Sequence, residues 1–432
     1  MQQHNFSPDD FEFVPLYRRK GLSSQDFLAL HGHKLIIIFG SGVLGRCMLR
    51  QLRRFSEPSR RFVFADTDPF IVGKTIDNCL VVSLVEAVAC AKINEAFVIL
   101  AVASNVDSVR EALESQGLCI NSDFMTYRSM CRPEAVIQIA EGRESNCIND
   151  LYRRKFMSFH EYRLTFSKLL NEIPDLFCLD LTGDGEPFLN DDLPDIIRFT
   201  DDHVPCTVTT RFPVDRQRLD LVMQARPLQL VLFFDFSVDF PFNADQVNQS
   251  LFELADSHSR YGDGTAVRVR IEKYRFQSQQ ALDFLESTCK KFGLRIVQSV
   301  GYPPYDDILT MYKNAKLEPL EIDKLHWDLE EAVKLASKDR AQPCLCQRIF
   351  PVIKPDLSVR TCHLYTRPTL HDNFLTIHKD DLYELRQAAG QCRECQRFSL
   401  HRLDLEVLHQ RHGVDLRFRE QASAGTFRDL LA

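Results

Sequence analysis

Apolar and polar positions along this chain lay out two successive series of alternating strands and helices. Lys34–Phe39 is a run of large aliphatic residues, the length of a buried strand. It passes through glycines into an amphipathic stretch, Arg46–Phe55. Arg61–Ala65 and Ala96–Val102 repeat the strand pattern and end in Asp66-Thr-Asp68 and Ala103-Ser-Asn105. Strands alternating with helices at this spacing predict a parallel sheet. Before residue 30 the pattern gives only a lead-in with one short helix.

The second series starts near Glu134. Its strands are predicted at Ala135–Ala140, Leu176–Leu181, Pro205–Thr210, Gln229–Asp235, Ala266–Ile271 and Leu294–Ser299. Amphipathic helices fall between them at Ser158–Asn171, Asp192–Asp201, Asp215–Ala225, Asn243–Ser257 and Ser278–Phe292. Consecutive βα units of this number suit a partial α/β barrel, whose loops after the strands carry the site. The fold class is therefore α/β: residues 30–130 a Rossmann-like parallel sheet, 134–302 a partial (βα)6 barrel, 340–402 a cysteine-rich module and 403–432 a helical tail. Asp235 and Glu272 end two of the barrel strands, and the loop Gly183-Asp184-Gly185-Glu186-Pro187 follows the second, so all belong to one rim. The Phe residues of Val231–Phe236 and Asp239–Phe242 are expected in the core, and Asp191-Asp192 is expected to cap the next helix.

Composition narrows the classes. The 432 residues exceed one ordinary domain. A net charge of −7 gives no reason to expect nucleic acid as a partner. No run of eighteen apolar residues occurs, so no membrane span is expected. The polar, acidic start is unlike a secretory signal, and a cytoplasmic location is expected. Fourteen cysteines are many for such a compartment. Five of them, Cys344, Cys346, Cys362, Cys392 and Cys395, fall close together, which points to metal more than to disulfides.

The first glycine loop, Gly40-Ser-Gly42-Val-Leu-Gly45, has a defined physical logic. Gly40 permits the tight turn, Gly42 lets a ligand approach the backbone, and Gly45 lets helix pack on strand. Asp66, at the end of the next strand, stands where a ribose-binding acid is expected. NAD or another nucleotide is the ligand this set would take; a scaffold that binds nothing is the other reading.

Six βα units with a Gly-Gly-Glu-Pro-like loop after the second strand resemble the core of radical S-adenosylmethionine (SAM) enzymes. The C-terminal cysteines resemble the SPASM or twitch extension, which holds an auxiliary iron–sulfur cluster in many of them. The resemblance covers roughly residues 134–400 in order. It implies that the backbone of Gly183, Asp184, Gly185, Glu186 and Pro187 receives the methionine amino group of SAM. It also places the family's CxxxCxxC motif in the loop after the first strand, where three thiolates hold a [4Fe–4S] cluster. Here that frame reads Arg143, Cys147, Asp150. A guanidinium stays protonated and has no lone pair for iron. The SAM-cleaving cluster, and with it radical formation, is therefore expected to be absent.

The C-terminal set keeps more of its pattern. Cys344 and Cys346 precede a strand, Asp356-Leu357 replaces the family's Asp-Gly turn, Cys362 follows, and Cys392-Arg-Glu-Cys395 closes the set. Leucine at a left-handed position is costly, so this turn is expected to have changed type. Four thiolates suit an auxiliary [4Fe–4S] cluster or zinc, and the resemblance favours iron–sulfur. His363 and His371 are read as surface residues, and His401 stands where a longer module would carry another cysteine.

The sequence thus describes a radical SAM/SPASM-like protein that binds an auxiliary cluster and acts in substrate or partner binding. The partner would be an active homologue, or a small-molecule, peptide or sugar substrate. Two alternatives stay open: an enzyme using SAM or a dinucleotide at the retained glycine loops, and a zinc-stapled interaction protein.

Overall fold

Strands whose side chains are buried on both faces must lie between two helical layers, and the N-terminal sheet is built so. The computed structural model describes residues 21–31, 33–102, 106–141, 155–183, 185–211, 215–235, 243–262, 264–273, 279–300, 337, 352–362, 369–388 and 395. Its N-terminal elements are α1 (Ser24–His31), β1 (Leu35–Phe39), α2 (Val43–Phe55), β2 (Phe62–Asp66), β3 (Thr75–Ile76), β4 (Cys79–Ser83), α3 (Leu84–Lys92), β5 (Ala96–Leu100), α4 (Val106–Ser115) and β6 (Phe124–Thr126). The sheet order is β3-β4-β2-β1-β5-β6. All pairs are parallel except the β3–β4 hairpin. That hairpin turns through Asp77 and Asn78, both at positive φ (47° and 59°), the residue types that tolerate such a turn. Ile36 and Ile38 share an apolar cluster with Phe27 of α1 and Cys47, Met48 and Leu52 of α2. Ile37 and Phe39 point the other way, into a cluster with Ala87 and Ala91 of α3 and Leu113 of α4.

The second series is β7 (Glu134–Val136), β8 (Ala140–Glu141), β9 (Lys155–Phe156), α5 (Phe159–Glu172), β10 (Cys178–Asp180), α6 (Leu193–Asp201), β11 (Cys206–Arg211), α7 (Arg216–Ala225), β12 (Gln229–Asp235), α8 (Ala244–Tyr261), β13 (Ala266–Lys273), α9 (Gln279–Lys291) and β14 (Arg295–Val300). Six parallel strands follow in chain order, β7-β10-β11-β12-β13-β14, as the sequence predicts. One face packs on the helices through Leu179, Val208, Leu230, Leu232, Phe234, Val269 and Ile271. The first strand departs from expectation. It was expected to run unbroken from Ala135 to Ala140, but only Glu134–Val136 pair as β7. Ile137 then bridges to Ile353, and the Gln138 amide donates to the Ile353 carbonyl at 2.8 Å. Ala140 and Glu141 turn to pair with β9.

Ile353 belongs to the C-terminal unit: β15 (Val352–Ile353), β16 (Val359–Arg360), β17 (Thr369–His371) and α10 (Lys379–Ala388), with the three strands antiparallel. Ile353, Val359, Phe374, Ile377 and Leu382 bury themselves in the same cluster as the barrel helices. The β15–β16 turn corrects one expectation. Leu357 does occupy the left-handed region, at φ 68°, so the turn has kept its shape without glycine. The strain, of order 1–2 kcal/mol, is opposed by packing of the Leu357 side chain on the core. The Phe374 amide also donates to the Leu357 carbonyl at 2.8 Å.

The N-terminal unit closes the barrel at the end where the strands begin. Gln51 donates to the carbonyls of Cys131 and Asp175 at 2.8 and 2.9 Å, Arg54 to that of Leu176, and Arg50 pairs with Asp201. Phe177, Cys178 and Leu228 join the cluster built around α2. The Gly183 loop, after a strand, lies at the opposite end.

Candidate functional site

The Gly183–Pro187 loop is fixed by packing as much as by hydrogen bonds. A methyl at Gly183 would lie 2.6 Å from Gln138 Nε2 and closer still to Gln138 Cγ and Cδ. A methyl at Gly185 would lie 2.5 Å from the Ala140 carbonyl carbon and 2.9 Å from Glu141 Cα. Both glycines are thus the surface on which the continuation of the first strand rests. Glu186 then ties the loop to β11. Its Oε1 accepts from Thr210 Oγ1 (2.7 Å) and the Phe188 amide (3.0 Å), and its Oε2 from the Arg211 amide (2.8 Å). Burial pushes the Glu186 carboxyl up against these bonds. Asn190 completes the anchor: Nδ2 donates to the carbonyls of Ile139 and Met157, each at 2.9 Å. The loop's fifth residue, Asp184, lies outside the described residues. Asp192 corrects another expectation. It heads α6 without capping it, and its carboxylate accepts from the Phe159 amide (2.8 Å) at the start of α5.

The face of the barrel sheet turned away from the helices is polar, and register arranges it in rows. Asp180, Thr207 and Gln229 form the row nearest the N-terminal unit. Thr182, Thr209, Val231 and Arg268 form the next, with Gln138 beside them. Arg211, Phe233 and Arg270 form the third, and Asp235 pairs with Glu272 at the rim. Both rim acids therefore share one level as expected; only their backbone is described. Phe233 was expected in the core with Phe234. Phe234 is there, but alternation turns Phe233 inward, where the Arg211 and Arg270 guanidinium carbons lie 5.9 and 5.6 Å from its ring.

Asp180 is the chemically distinctive member. Burial pushes its carboxyl up to about 6, against hydrogen bonds from Thr182 and Thr207 and the field of Arg270. The Thr182 amide donates to its Oδ1 at 2.9 Å. Gln138 and Gln229 are each 2% exposed, and the Oε1 of each has no hydrogen-bond partner among the described residues. Reading the sequence for motifs missed this wall. The signal was present in strict alternation, as in Val267-Arg268-Val269-Arg270-Ile271 and Leu179-Asp180-Leu181-Thr182.

Two of the three glycines in the first loop do what its spacing implies. Gly40 has φ 102°, and a methyl there would lie 2.7 Å from the Ala101 carbonyl oxygen. A methyl at Gly45 would lie 3.0 Å from the Gly40 carbonyl carbon. Gly42 faces nothing within 4 Å. It is the N-cap of α2, which carries no side-chain cap. Asp66 is engaged with the loop itself. Its Oδ2 accepts from the Ser41 amide (3.1 Å) and Ser41 Oγ (2.9 Å), and its Oδ1 from the Thr67 and Asp68 amides (2.8 and 3.1 Å). This loop and the Gly183 loop lie toward opposite ends of the barrel, so one small ligand cannot touch both.

Of the metal-ligand candidates, Cys362 and Cys395 are described, each 6% exposed. Cys344, Cys346 and Cys392 lie outside the described residues, as do Arg143, Cys147, Asp150, His363 and His401. His371 is described, and its Nδ1 lies 3.1 Å from the Asn373 amide that donates to it. No metal-binding group of three or more such side chains assembles among the described residues. No described helix is long and apolar enough to cross a membrane.

No family model matches the sequence, and no curated protein matches it. Among solved structures the chain is similar to BtrN in complex with AdoMet and 2-DOIA, with 9% identity over 62% of this chain and 87% of that one and a TM-score of 0.34. It is also similar to selenomethionine BtrN in an open conformation, with 13% identity over 23% of this chain and 49% of that one and a TM-score of 0.20. At these scores the likeness carries no argument on its own, and the chain's own topology is the firmer guide to its fold.

Proposed function

We propose that the chain is a radical-SAM-type half barrel that has given up its SAM-cleaving cluster. It would bind a small polar molecule on the inner face of the barrel, beside a metal centre held by the C-terminal cysteines. The observation that carries this reading is the inner wall. Six parallel strands in chain order present Asp180, Thr182, Thr207, Arg211, Arg268 and Arg270 beneath a loop locked by Glu186. A wall meant only for packing would be apolar. SAM is the ligand proposed for the Gly183–Pro187 end. The thiolates of Cys344 or Cys346 with Cys362, Cys392 and Cys395 would hold an auxiliary [4Fe–4S] cluster or zinc, which would supply structural support or electron transfer when bound. The role would be to bind a substrate, or to assist an active homologue.

A second reading concerns the first glycine loop. The open space over Gly42 supports binding of NAD or another nucleotide there, at a site independent of the barrel.

Calorimetry on the full chain with SAM, NAD and a sugar nucleotide tests both readings. Heat is expected with SAM, and no 5′-deoxyadenosine when a low-potential reductant is added. Silence with all of these ligands would remove the binding role, and deoxyadenosine formation would restore a radical enzyme.

A further inference from the structure

The inner wall carries an imbalance that the SAM-type loop does not account for. Two of its buried amide oxygens have no donor among the described residues. Asp180 draws on the Thr182 amide and, through their hydroxyls, on Thr182 and Thr207, so the threonine donors nearest it are already used. On either side of this network stand Gln138 and Gln229, each 2% exposed and each with its Oε1 lacking a partner among the described residues. A buried amide oxygen left without a donor costs about 1–3 kcal/mol. Two on one wall are either a standing penalty or half of a binding site.

Their placement favours a site. Ile137 and Ile139 pack against the helices, so Gln138 between them faces inward. Leu230 and Leu232 do the same for β12, and Gln229 faces inward with Val231. Gln138 is held in position: its side chain lies over Gly183, and its amide is bonded to Ile353. Gln229 pairs with Thr207, which pairs with Asp180. The two glutamines are thus separated by β10 and β11 and by one row, three strand steps and two residues or roughly 16 Å along a curved wall. Side chains reaching inward from both ends of such a span can bracket one ring-sized molecule.

The chemistry of the occupant follows. The unpaired atoms are neutral amide oxygens, which select neutral N–H or O–H donors and do not require a full positive charge. The acid between them is already hydrogen-bonded, so it does not call for a cation. We propose that the inner wall around Gln138, Asp180 and Gln229 is a subsite for a small polyhydroxylated molecule, whose hydroxyls donate to both glutamine oxygens. This rests on the reading of the inner face as a ligand site. It adds a second ligand class, and the residues that would recognise it.

The test uses saturation-transfer NMR on the full chain with D-glucose and myo-inositol as probes. Tetrahydropyran, a ring of similar size that carries no hydroxyl, is the control. The polyols should receive saturation and the control should not. Gln138→Met and Gln229→Met replace an unpaired amide with an apolar chain of similar length. Each should weaken polyol binding roughly 3- to 10-fold while leaving the melting temperature equal or higher. No transfer to either polyol, or transfer undiminished in both variants, overturns the subsite. SAM calorimetry on the same samples separates the two claims. A SAM heat without polyol transfer sinks only the subsite, and polyol transfer without a SAM heat sinks only the SAM reading.

Discussion

Gly183 is glycine because Gln138 occupies the space where its side chain would be. Gly183→Ala puts a methyl 2.6 Å from Gln138 Nε2 and nearer to Cγ and Cδ, distances at which something must move. Gln138 is 2% exposed and cannot swing into solvent. Overpacking of this kind costs about 1–3 kcal/mol. Gln138→Ala empties the same space, so in that background the Gly183→Ala methyl should cost almost nothing. The coupling between the two changes should recover most of the 1–3 kcal/mol, where distant pairs add within about 0.5 kcal/mol. Gly185→Ala is the control, because its obstacles are the Ala140 and Glu141 backbone, which no side-chain truncation removes. Its loss should be the same with or without Gln138→Ala. The assay is urea unfolding followed by circular dichroism, comparing midpoints at a common slope. Equal losses for Gly183→Ala in both backgrounds would refute the argument.

Other outcomes follow from the same geometry. Gly42→Ala meets nothing within 4 Å, so its cost should be no more than the ~0.5–1 kcal/mol of a poorer helix N-cap. Because the fold should survive that cost, NAD affinity lost in the folded variant reports on the ligand. Gly45→Ala, crowded by the Gly40 carbonyl, should unfold the N-terminal unit at markedly lower urea. Asp180 has its carboxyl raised from 3.8 to about 6 in the fold, so the native state holds the proton more tightly than the unfolded chain. Its contribution is therefore full below about pH 4 and falls away as pH rises through 6, by up to about 3 kcal/mol. Asp180→Asn should flatten that part of the stability profile between pH 4 and 7, and an unchanged profile would exclude Asp180 as its source. At Leu357, φ 68° should make Leu357→Gly more stable than Leu357→Ala by about 1 kcal/mol, the reverse of the order at ordinary positions.

The strand and helix positions of both series were legible because each strand is a short apolar run and each helix carries one buried stripe. In the glycine loop, the tight turn at Gly40 and the close packing at Gly45 were legible from spacing. What composition could not reveal was where chain segments distant in sequence meet. The break of the first strand at Ile137 depends on Ile353, more than two hundred residues away. The link from Asp192 to α5 depends on how two helices approach each other. At Leu357 local propensity pointed to a different turn, and burial against the core prevailed. The inner wall carries no motif: residues such as Gln138 and Gln229 matter because they are buried with an amide oxygen unpaired among the described residues, which only the fold reveals.

On the proposed reading, metal belongs to the C-terminal cysteines and not to the barrel loop. The decisive measurement is the iron, zinc and sulfide content of the anaerobically purified chain, taken alongside Cys147→Ser and Cys362→Ser. A single centre is expected, about four irons or about one zinc per chain. Cys362→Ser should abolish it and Cys147→Ser should leave it intact. About eight irons, or a centre lost with Cys147→Ser and retained with Cys362→Ser, would place metal in the barrel loop instead.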